Sequence, residues 1–458
     1  MSDIRTAIVS WDNVAPNAAN LILRPEGNLR TGIGNFADVF PSPTSLEEDV
    51  LVVASTIYAC DLAFKRGERE NITRSIEVTL PVVNYQAFQR LKPELETILW
   101  VLSHDAWSFT FQRRQGVPEA SLSWASASGK TLLFSGGLDS FAGAVDLLDE
   151  IGVNGVQLSS HVTANPATIS SQKGLISYLE SQYGSSLRRI VVRTGGHNID
   201  GLPFPDQDRE ETQRTRSFMF LAIAALAARR SGHSEVVMIA ENGQMAIHLP
   251  LSAARIGAFS THTAHPEFVH RIGQYFSDLL DYAVRVTNPY LYSTKAEVVQ
   301  KLVSRYPDAI PTSVSCWKSS RIKNAAKHCG ECIPCLTRRV ALESNGLKLS
   351  EYNRDLLSED AASLPPDDEG KRNLIDFVEF AHVFQTLNDA ELEYEYPELI
   401  NEQIDRAKAV SMYRRMAREV WNVFSAYPGM IKLMPSPPTG TVVPAAKPHP
   451  KSTRKKRL

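Results

Sequence analysis

The sequence predicts an α/β protein built on a parallel β-sheet with helices on both faces. Between residues 130 and 240, short apolar runs typical of strands alternate with longer stretches whose apolar residues recur at helical spacing. The first strand breaks at two glycines and continues directly as a helix, as in open parallel sheets that bind ligands at the carboxyl ends of their strands. The predicted elements are strands 131–134, 155–159, 188–192 and 235–240 and helices 141–150, 170–183 and 215–230.

The turn between the first strand and its helix has the residues of a phosphate-binding loop. Its two glycines allow close approach of the backbone, and the amide groups that open the helix attract an anion. Its two serine hydroxyls can donate to phosphate oxygens, and its aspartate can help hold a magnesium ion. It is not a Walker A loop, which ends in Gly-Lys-Ser or Gly-Lys-Thr. A plain Gly-Gly turn is the alternative. We expect nucleotide binding by Ser135, Gly136, Gly137, Leu138, Asp139 and Ser140.

Length and composition are those of a soluble globular protein. The 458 residues suffice for about three domains, and a net charge of −2 provides no broad field to attract nucleic acid. The chain has no run of about 18 apolar residues, and its start, Met-Ser-Asp-Ile-Arg, lacks the apolar core of a signal peptide. We therefore expect a cytoplasmic protein without a membrane partner.

Four of the five cysteines cluster after the sheet region, at Cys316, Cys329, Cys332 and Cys335. Clustered thiols in a cytoplasmic chain indicate a tetrahedral metal site rather than disulfides, and zinc is the expected ion. Gly330 allows the tight turn within the cluster. Because the protein fills all four positions, the zinc is expected to be structural, with an iron–sulfur cluster or unrelated thiols as alternatives. The fifth cysteine, Cys60, is expected to pack in a core.

The loop and the cysteine cluster together resemble a known family. The loop resembles the Ser-Gly-Gly-x-Asp-Ser signature of the PP-loop ATP pyrophosphatases, which split ATP between its α and β phosphates. With a cysteine knot about 180 residues later, the chain resembles the 7-cyano-7-deazaguanine synthases, known as QueC. Residues 215–222, 293–299 and 315–317 look like three further QueC segments, and the resemblance covers roughly residues 128–345.

This resemblance implies a PP-loop fold of the adenine nucleotide α-hydrolase type, with ATP, Mg²⁺ and structural Zn²⁺. It implies a C–N bond-forming ligase that adenylates a deazaguanine-type carboxylate, releases pyrophosphate and passes the acid to an amine. The expected catalytic residues are Asp139, Ser140, Arg216 and Lys295. Arg216 can grip a phosphate or carboxylate, and Lys295 can neutralise charge at the reacting phosphorus. A solvated first-turn arginine and a lysine within a Ser-Thr-Lys-Ala-Glu helix cap are the alternatives.

Two segments depart from the QueC pattern. Residues 159–165 stand where those enzymes carry Tyr-Gly-Gln, and within residues 261–268 only the closing Pro-Glu-Phe matches. Both segments lie on the substrate side in that family. The resemblance therefore implies a retained ATP site beside a changed acceptor site.

Other polar residues are candidates for the substrate side. Glu241 and Asn242 follow the strand 235–240 at the edge where ligands bind, although an Asn-Gly turn is the alternative. Three histidines, His262, His265 and His270, lie in or after the second altered segment. Since no two of them stand at positions i and i+4, we expect loop and substrate-side roles rather than zinc binding.

The rest of the chain extends the sheet region at both ends. We expect an N-terminal α+β domain of unknown role at 1–125, a PP-loop domain with the zinc knot at 126–345, a helical extension at 346–434 and a disordered basic tail at 435–458. The first unit lacks regular βαβ alternation, which favours an appended α+β domain. The proline-rich tail cannot bury enough apolar surface to fold, and its basic end is the one place where nucleic acid contact is expected.

The enlarged layout resembles QueC-like proteins of bacterial anti-phage systems, namely the C component of the Qat system (QatC) and a CBASS-associated relative. That resemblance implies joining a deazaguanine to the amine of a protein partner from the same defence operon. The alternative enzyme activity is 7-cyano-7-deazaguanine synthesis with ammonia, for queuosine biosynthesis. A non-catalytic nucleotide-binding scaffold subunit is a third interpretation, which the intact loop disfavours.

Overall fold

Two parallel β-sheets form the body of the protein in a computed structural model. The structure describes residues 4–12, 14, 18–67, 73–119, 127–162, 165–205, 208–237, 241–251, 262–322 and 326–435. Several predictions fall partly or wholly outside the described residues. They concern parts of segments 159–165, 235–240 and 261–268, the domain junction at 125–126 and the basic tail from residue 436 onward.

The N-terminal region forms a four-stranded parallel sheet with helices. Its elements are β1 (Ile4–Val9), β2 (Leu21–Leu23), β3 (Leu29–Arg30), α1 (Ile33–Val39), α2 (Ser45–Ala63), β4 (Ser75–Val82), α3 (Tyr85–Ser103) and β5 (Ala106–Arg113). The strand order is β2-β1-β4-β5, and each neighbouring pair is parallel.

The expectation of an α+β class for this region is therefore wrong. Parallel strands need crossover connections, and α3 is such a crossover between β4 and β5. The crossover from β1 to β4 carries two very short strands and two helices, which conceals the βαβ alternation in the sequence. The region is α/β, like the sheet that follows it.

The central region contains the predicted parallel sheet, which is confirmed. Its elements are β6 (Lys130–Leu133), α4 (Leu138–Ile151), β7 (Val156–His161), α5 (Pro166–Tyr183), β8 (Arg188–Val192), β9 (Gly195–Gly196), α6 (Arg216–Ser231), β10 (Glu235–Val237), α7 (Gly243–Ile247), α8 (Pro266–Leu280), β11 (Arg285–Thr287) and α9 (Lys295–Arg305). Five strands pair in the order β11-β10-β6-β7-β8, all parallel. The short strand β11 extends the sheet beyond the strands expected from the sequence.

The strand order locates the ligand-binding edge of this sheet. From β6 the chain runs outward to β7 and β8, and then returns to place β10 on the opposite side of β6. Open parallel sheets bind ligands at the carboxyl ends of their strands where the order reverses in this way. The residues that follow β6 and β10 therefore meet at the expected site.

The C-terminal region is helical. Its helices are α10 (Ile333–Ser344), α11 (Glu369–Thr386), α12 (Asp389–Glu395), α13 (Arg406–Phe424) and α14 (Pro428–Ile431). Phe384 of α11 stacks on Tyr413 of α13 with ring centroids 4.8 Å apart, and the same core includes Ile247 and Leu249. The helical extension thus packs directly against the chain that follows β10.

The N-terminal region also packs against the central sheet. One continuous core contains Ile57 of α2 and Leu221 of α6, both fully buried. Strand β3 pairs antiparallel with β9. Cys60 is fully buried in this core, which confirms its expected packing role. Of the helices in the described part of the chain, none has both the length and the apolar character needed to cross a membrane.

Candidate active site

The turn after β6 has the backbone shape of an anion-binding loop. Gly136 has a φ of 85°, and a Cβ at this position would lie 3.0 Å from the backbone nitrogen of Gln172. Its carbonyl oxygen accepts bonds from Ser171 Oγ at 2.6 Å and from the Val314 amide at 3.2 Å. Gly137 has no side chain to cap α4, so the first-turn amides of this helix remain available to an anion.

The two loop hydroxyls differ in accessibility. Ser135 Oγ and Ser140 Oγ lie 3.2 Å apart, but Ser135 is exposed whereas Ser140 is buried. The Ser140 hydroxyl donates to the carbonyl oxygen of Gly137 at 3.1 Å. Leu138 is fully buried, so it offers a ligand only its backbone. A phosphate can therefore reach Ser135 and the helix amides directly, while Ser140 supports the loop from below.

Asp139 forms a buried ion pair at the start of α4. Its Oδ2 atom lies 2.7 Å from Lys295 Nζ and accepts a bond from Asn242 Nδ2 at 3.4 Å. Asp139 and Lys295 are 4% and 8% exposed, so water screens this pair poorly. Two of the expected catalytic residues therefore meet directly at the switch point of the sheet.

Lys295 owes its position to the start of α9. The preceding residue, Thr294, accepts a bond from the Glu297 amide at 3.2 Å, and Glu297 accepts one from the Thr294 amide at 2.9 Å. This capping box uses the threonine and the glutamate, and so leaves the lysine ammonium free for Asp139. The two interpretations of this segment, a helix cap and a catalytic lysine, are structurally compatible.

Glu241 and Asn242 follow β10 beside the ion pair. Burial, reinforced by the negative charge of Asp139, raises the pKa of Glu241 to about 7, although Lys295 and Arg216 oppose the shift. Asn242 is buried, and it stands at the N-cap position of α7. The site thus contains a carboxyl group whose pKa lies near neutral pH, next to a loop with the backbone shape of an anion-binding site.

The oxygen atoms near Asp139 fit a magnesium ion. Asp139 Oδ1 and Asn242 Oδ1 are both buried and have no hydrogen-bond partner among the residues that the structure describes. Mg²⁺ prefers such oxygen ligands and fills its remaining positions with water and substrate phosphates. Asp139 and Asn242 are therefore the residues that would hold an ATP-bound Mg²⁺.

Arg216 lies on the rim of this site. It opens α6 with an exposed side chain, and its guanidinium carbon is 5.7 Å from the ring centre of Phe220. Within the described ranges, no carboxylate lies at ion-pairing distance from it. Its charge nevertheless acts on the Glu241 carboxyl, whose pKa it lowers. The guanidinium is thus available to an incoming anion beside Glu241.

Aromatic side chains adjoin Arg216. The ring of His161, at the end of β7, lies 5.3 Å from Phe220 and 5.8 Å from Tyr58 of α2. Burial and the nearby Arg216 charge lower the pKa of His161 to about 3, so the ring is neutral. His161 belongs to the altered segment 159–165. Sequence reasoning missed Tyr58, and no local signal pointed to it, because only the packing of α2 against α6 brings it here.

The four cysteines have the geometry of a metal site. All four are buried, and their sulfur atoms lie within 4.8 Å of one another. The distance is 3.9 Å from Cys316 to Cys332 and 3.8 Å from Cys329 to Cys335. A tetrahedral ion with bonds of about 2.3 Å to sulfur separates its ligands by about 3.8 Å, so the set fits structural zinc.

The cysteine knot is connected to the phosphate loop. Gly330 has a φ of 87°, and a Cβ there would lie 2.0 Å from the Arg354 carbonyl oxygen, so the knot requires glycine at its turn. Two residues before Cys316, the Val314 amide donates to the Gly136 oxygen. The fully buried Arg338 fixes the same stretch through a bond of 2.8 Å to Ser313 Oγ. The knot therefore supports one side of the loop.

Of the three histidines in or after the second altered segment, the fold places His262 and His265 beside each other. The His262 ring lies 5.1 Å from that of His265, and its Nδ1 atom is 3.0 Å from the Val101 carbonyl oxygen of α3. His265 caps α8 by accepting a bond from the Glu267 amide, whereas His270 is exposed on that helix. His262 and His265 thus join the loop before α8 to the N-terminal region.

Comparisons with known proteins point to one family. Residues 206–346 match the family model described as Queuosine biosynthesis protein QueC. The 7-cyano-7-deazaguanine synthase of Brucella ovis is 29% identical over 161 residues, which cover 34% of this chain and 62% of that protein. The 7-cyano-7-deazaguanine synthase 1 of Mesorhizobium japonicum is 26% identical over 171 residues, which cover 34% of this chain and 66% of that protein. The matches therefore span less than two thirds of each relative. The family match includes Arg216, Lys295 and the cysteines, and it begins after the loop at 135–140.

Proposed function

We propose that this QueC-like chain uses ATP to adenylate a deazaguanine-type carboxylate and then transfers the acid to an amine. The observation that carries the proposal is the meeting of three groups at one edge of the central sheet. These are an anion-binding loop, the Asp139–Lys295 pair and the Glu241 carboxyl with its pKa of about 7. Pyrophosphate and AMP are the expected by-products.

The first step activates the acid. An oxygen of the substrate carboxylate attacks the α-phosphorus of ATP, and the bond from that phosphorus to the bridging oxygen breaks, so pyrophosphate leaves. This reaction needs positioning and charge neutralisation rather than a protein nucleophile. The exposed Ser135 hydroxyl and the first-turn amides of α4 are suited to hold the departing phosphates.

Lys295 is assigned to the charge that develops on the α-phosphate. Its ammonium carries three donors, so it can keep its bond to Asp139 and also donate to a phosphate oxygen. Bound Mg²⁺ at Asp139 and Asn242 would neutralise the phosphates. Fixed cations of this kind act most strongly where water is excluded, and both Asp139 and Lys295 are buried.

Arg216 is assigned to the acid substrate. A guanidinium binds a carboxylate through two parallel hydrogen bonds, and this one is exposed beside Glu241. The adjacent half-buried ring of Phe220, backed by the buried His161 ring, supplies flat surface for a heteroaromatic substrate. This combination supports a planar aromatic acid of the deazaguanine class.

The second step forms the C–N bond. The amine nitrogen attacks the acyl carbon, AMP leaves with one former carboxylate oxygen, and the amine gives up a proton. Glu241 is suited to accept that proton, because a base with a pKa near the working pH transfers protons efficiently. No cysteine is needed as a nucleophile, which agrees with the commitment of four thiols to the knot.

The amine acceptor is proposed to be a protein, in a bacterial anti-phage system. Support comes from the N-terminal region and the helical extension, which lie outside the family match at 206–346 and share cores with the central region. Ammonia is the second candidate, favoured by the names of the relatives, which are 7-cyano-7-deazaguanine synthases.

Isotope transfer tests the activation step. The chain is incubated with ATP, Mg²⁺, an amine acceptor (ammonia or a candidate protein) and 7-carboxy-7-deazaguanine labelled with ¹⁸O in the carboxylate. The expected result is equal release of AMP and pyrophosphate, with ¹⁸O in the AMP phosphate. Release of ADP and orthophosphate, or unlabelled AMP, would contradict the proposal. Two measurements then distinguish the two acceptors. Intact mass spectrometry detects a mass increase on proteins from neighbouring genes, and chromatography detects small products formed with ammonia.

A further inference from the structure

The two proposed catalytic cations, Arg216 and Lys295, each stand at the start of a helix, directly after a threonine. Arg216 is the first residue of α6, and Lys295 is the first residue of α9. Each follows a threonine that occupies the N-cap position and is fully buried, Thr215 or Thr294. Each threonine hydroxyl donates to a carboxylate that comes from outside the family match at 206–346.

The carboxylate at α6 is Asp61 of α2. Its Oδ2 atom accepts bonds from the Thr215 amide at 2.9 Å and from the Thr215 hydroxyl at 3.1 Å. Its Oδ1 atom accepts a bond from Arg74 Nη2 at 2.5 Å, and Arg74 also pairs with Asp105 at 2.6 Å. Because Asp61 is fully buried and bonded through both oxygens, it ties the start of α6 rigidly to the N-terminal sheet.

The carboxylate at α9 is Glu419 of α13. Its Oε1 atom accepts a bond from the Thr294 hydroxyl at 2.7 Å. A second link from α13 reaches the lysine itself, because Tyr413 donates to the Gln244 carbonyl at 3.1 Å and the Gln244 side chain accepts from the Lys295 amide at 2.9 Å. The helical extension therefore holds the start of α9.

We propose that Asp61 and Glu419 are positioning residues. Through them, the N-terminal region and the helical extension fix the positions of the Arg216 and Lys295 side chains. The roles of the two cations rest on the proposed function. A long side chain turns a small shift of its helix start into a large displacement of its charge, and a misplacement of about 1 Å can cost catalysis about a hundredfold. The N-terminal region and the helical extension therefore contribute to the geometry of the site as well as to the fold.

The same helices provide matched controls. Asp49 of α2 is a buried carboxylate that accepts bonds from the Val83 and Asn84 amides rather than from Thr215. Asp405 caps the start of α13 and does not contact α9 through its side chain. Substitutions at Asp49 and Asp405 are expected to weaken the N-terminal region and the helical extension without altering the bonds of Thr215 and Thr294 to their carboxylates.

Steady-state kinetics in the full chain tests the Asp61 arm. We expect D61N to raise the KM for the acid about tenfold and to leave the KM for ATP within about twofold of wild type. For D49N, the KM values for the acid and for ATP should both stay within about twofold of wild type. T215V removes the hydroxyl donor but keeps the Asp61–Arg74 pair, so it tests the contact even if D61N misfolds. We expect T215V to move the KM for the acid in the same direction.

Rescue by a conservative variant tests the Glu419 arm. E419A is expected to lower kcat about tenfold, whereas E419Q keeps an oxygen for the Thr294 hydroxyl and recovers most of kcat. D405A is expected to keep kcat. Equal losses in E419Q and E419A, or equal effects of D61N and D49N, would overturn the proposal.

Hydrogen exchange separates this proposal from the proposed function. D61N is expected to speed exchange at residues 213–218 and E419A at residues 292–297, while D49N and D405A leave both segments unchanged. If the wild type releases no pyrophosphate with any acid tested, the proposed function fails, and the exchange pattern alone decides positioning. Unchanged exchange at both segments would overturn it.

Discussion

Lys295 Nζ lies 2.7 Å from Asp139 Oδ2, although 156 positions separate the two residues in the chain. The contact joins the start of α9 to the start of α4 beneath the phosphate loop. Both groups are buried, so each depends on the other for compensation of its charge. Five expected outcomes follow from this site and from its supports.

Removal of the buried lysine is expected to cost both activity and stability. K295M leaves the Asp139 carboxylate buried without its cation, which destabilises a protein by about 3–5 kcal/mol. It also removes the charge proposed to stabilise the transition state, so kcat should fall by about 10²–10³. K301M is the matched control, since Lys301 lies on the same helix and pairs with Asp146 and Asp149 while 36% exposed. Pyrophosphate release and denaturant unfolding measure the two effects. A K301M loss as large as that of K295M would contradict this.

Acyl transfer is expected to depend on the charge of Glu241. Because the pKa of this carboxyl is about 7 and its base form is proposed to accept the amine proton, transfer should rise with pH through about 7 and level off above it. E241Q should remove this inflection while adenylation continues. Rapid-quench measurement of amide formation from preformed adenylate provides the profile. An unchanged inflection in E241Q would exclude the assignment.

The same carboxyl is expected to affect stability in the opposite direction. Its folded pKa of about 7 lies above the ordinary value of 4.5, so the folded state binds the proton more tightly than the unfolded chain. Its favourable contribution is complete below about pH 4.5 and is lost as the pH rises to about 7. E241Q should therefore gain stability relative to wild type at pH 8 and little at pH 4.5. Thermal unfolding at the two pH values tests this sign.

Loss of the metal is expected to weaken nucleotide binding. The Val314 amide, two residues before Cys316, holds the Gly136 carbonyl, so disorder in the knot reaches the loop. C332S should lose zinc and bind ATP more weakly, whereas C60A, which alters a buried core thiol, should retain one zinc per chain. Elemental analysis and calorimetry provide the two measurements. Iron in place of zinc would favour the cluster alternative.

Glycine at position 136 is expected to serve the ligand as well as the turn. G136A places an L-residue at a φ of 85° and a Cβ 3.0 Å from the Gln172 nitrogen. G184A is the control, because Gly184 also has a positive φ, 65°, but faces open space at the end of α5. G184A should lose roughly 1–2 kcal/mol of stability. G136A should lose more, because its Cβ also meets the Gln172 backbone, and only G136A should lose ATP affinity. Equal ATP affinities in the two variants would count against a loop role.

Local patterns predicted much of the fold. The alternation of apolar strands and amphipathic helices predicted the parallel sheet, because apolar residues recur at a different spacing in a helix than in a strand. The class predicted for the N-terminal region was wrong because strands of two or three residues, such as β2 and β3, are too short to show an alternation of buried and exposed residues. Strand β11, with three residues, was missed in the same way.

Local patterns also predicted part of the site. Four cysteines within 20 residues and a Gly-Gly turn between strand and helix each concentrate their chemistry in one short segment. The pKa of Glu241 could not be predicted, because it depends on burial and on the distance to Asp139. Tyr58 could not be predicted either, because α2 reaches the site only through packing.

The sequence by itself determined the Gly-Gly turn between strand and helix, the four-cysteine cluster and the parallel sheet, because each arises from neighbouring residues and their periodicity. The tertiary structure alone decided that Asp139 pairs with Lys295. It also decided that Asp61 and Glu419 hold Thr215 and Thr294, at separations of 154 and 125 residues. The physical reason is that such contacts depend on the relative placement of packed helices, which no local spacing of residues encodes.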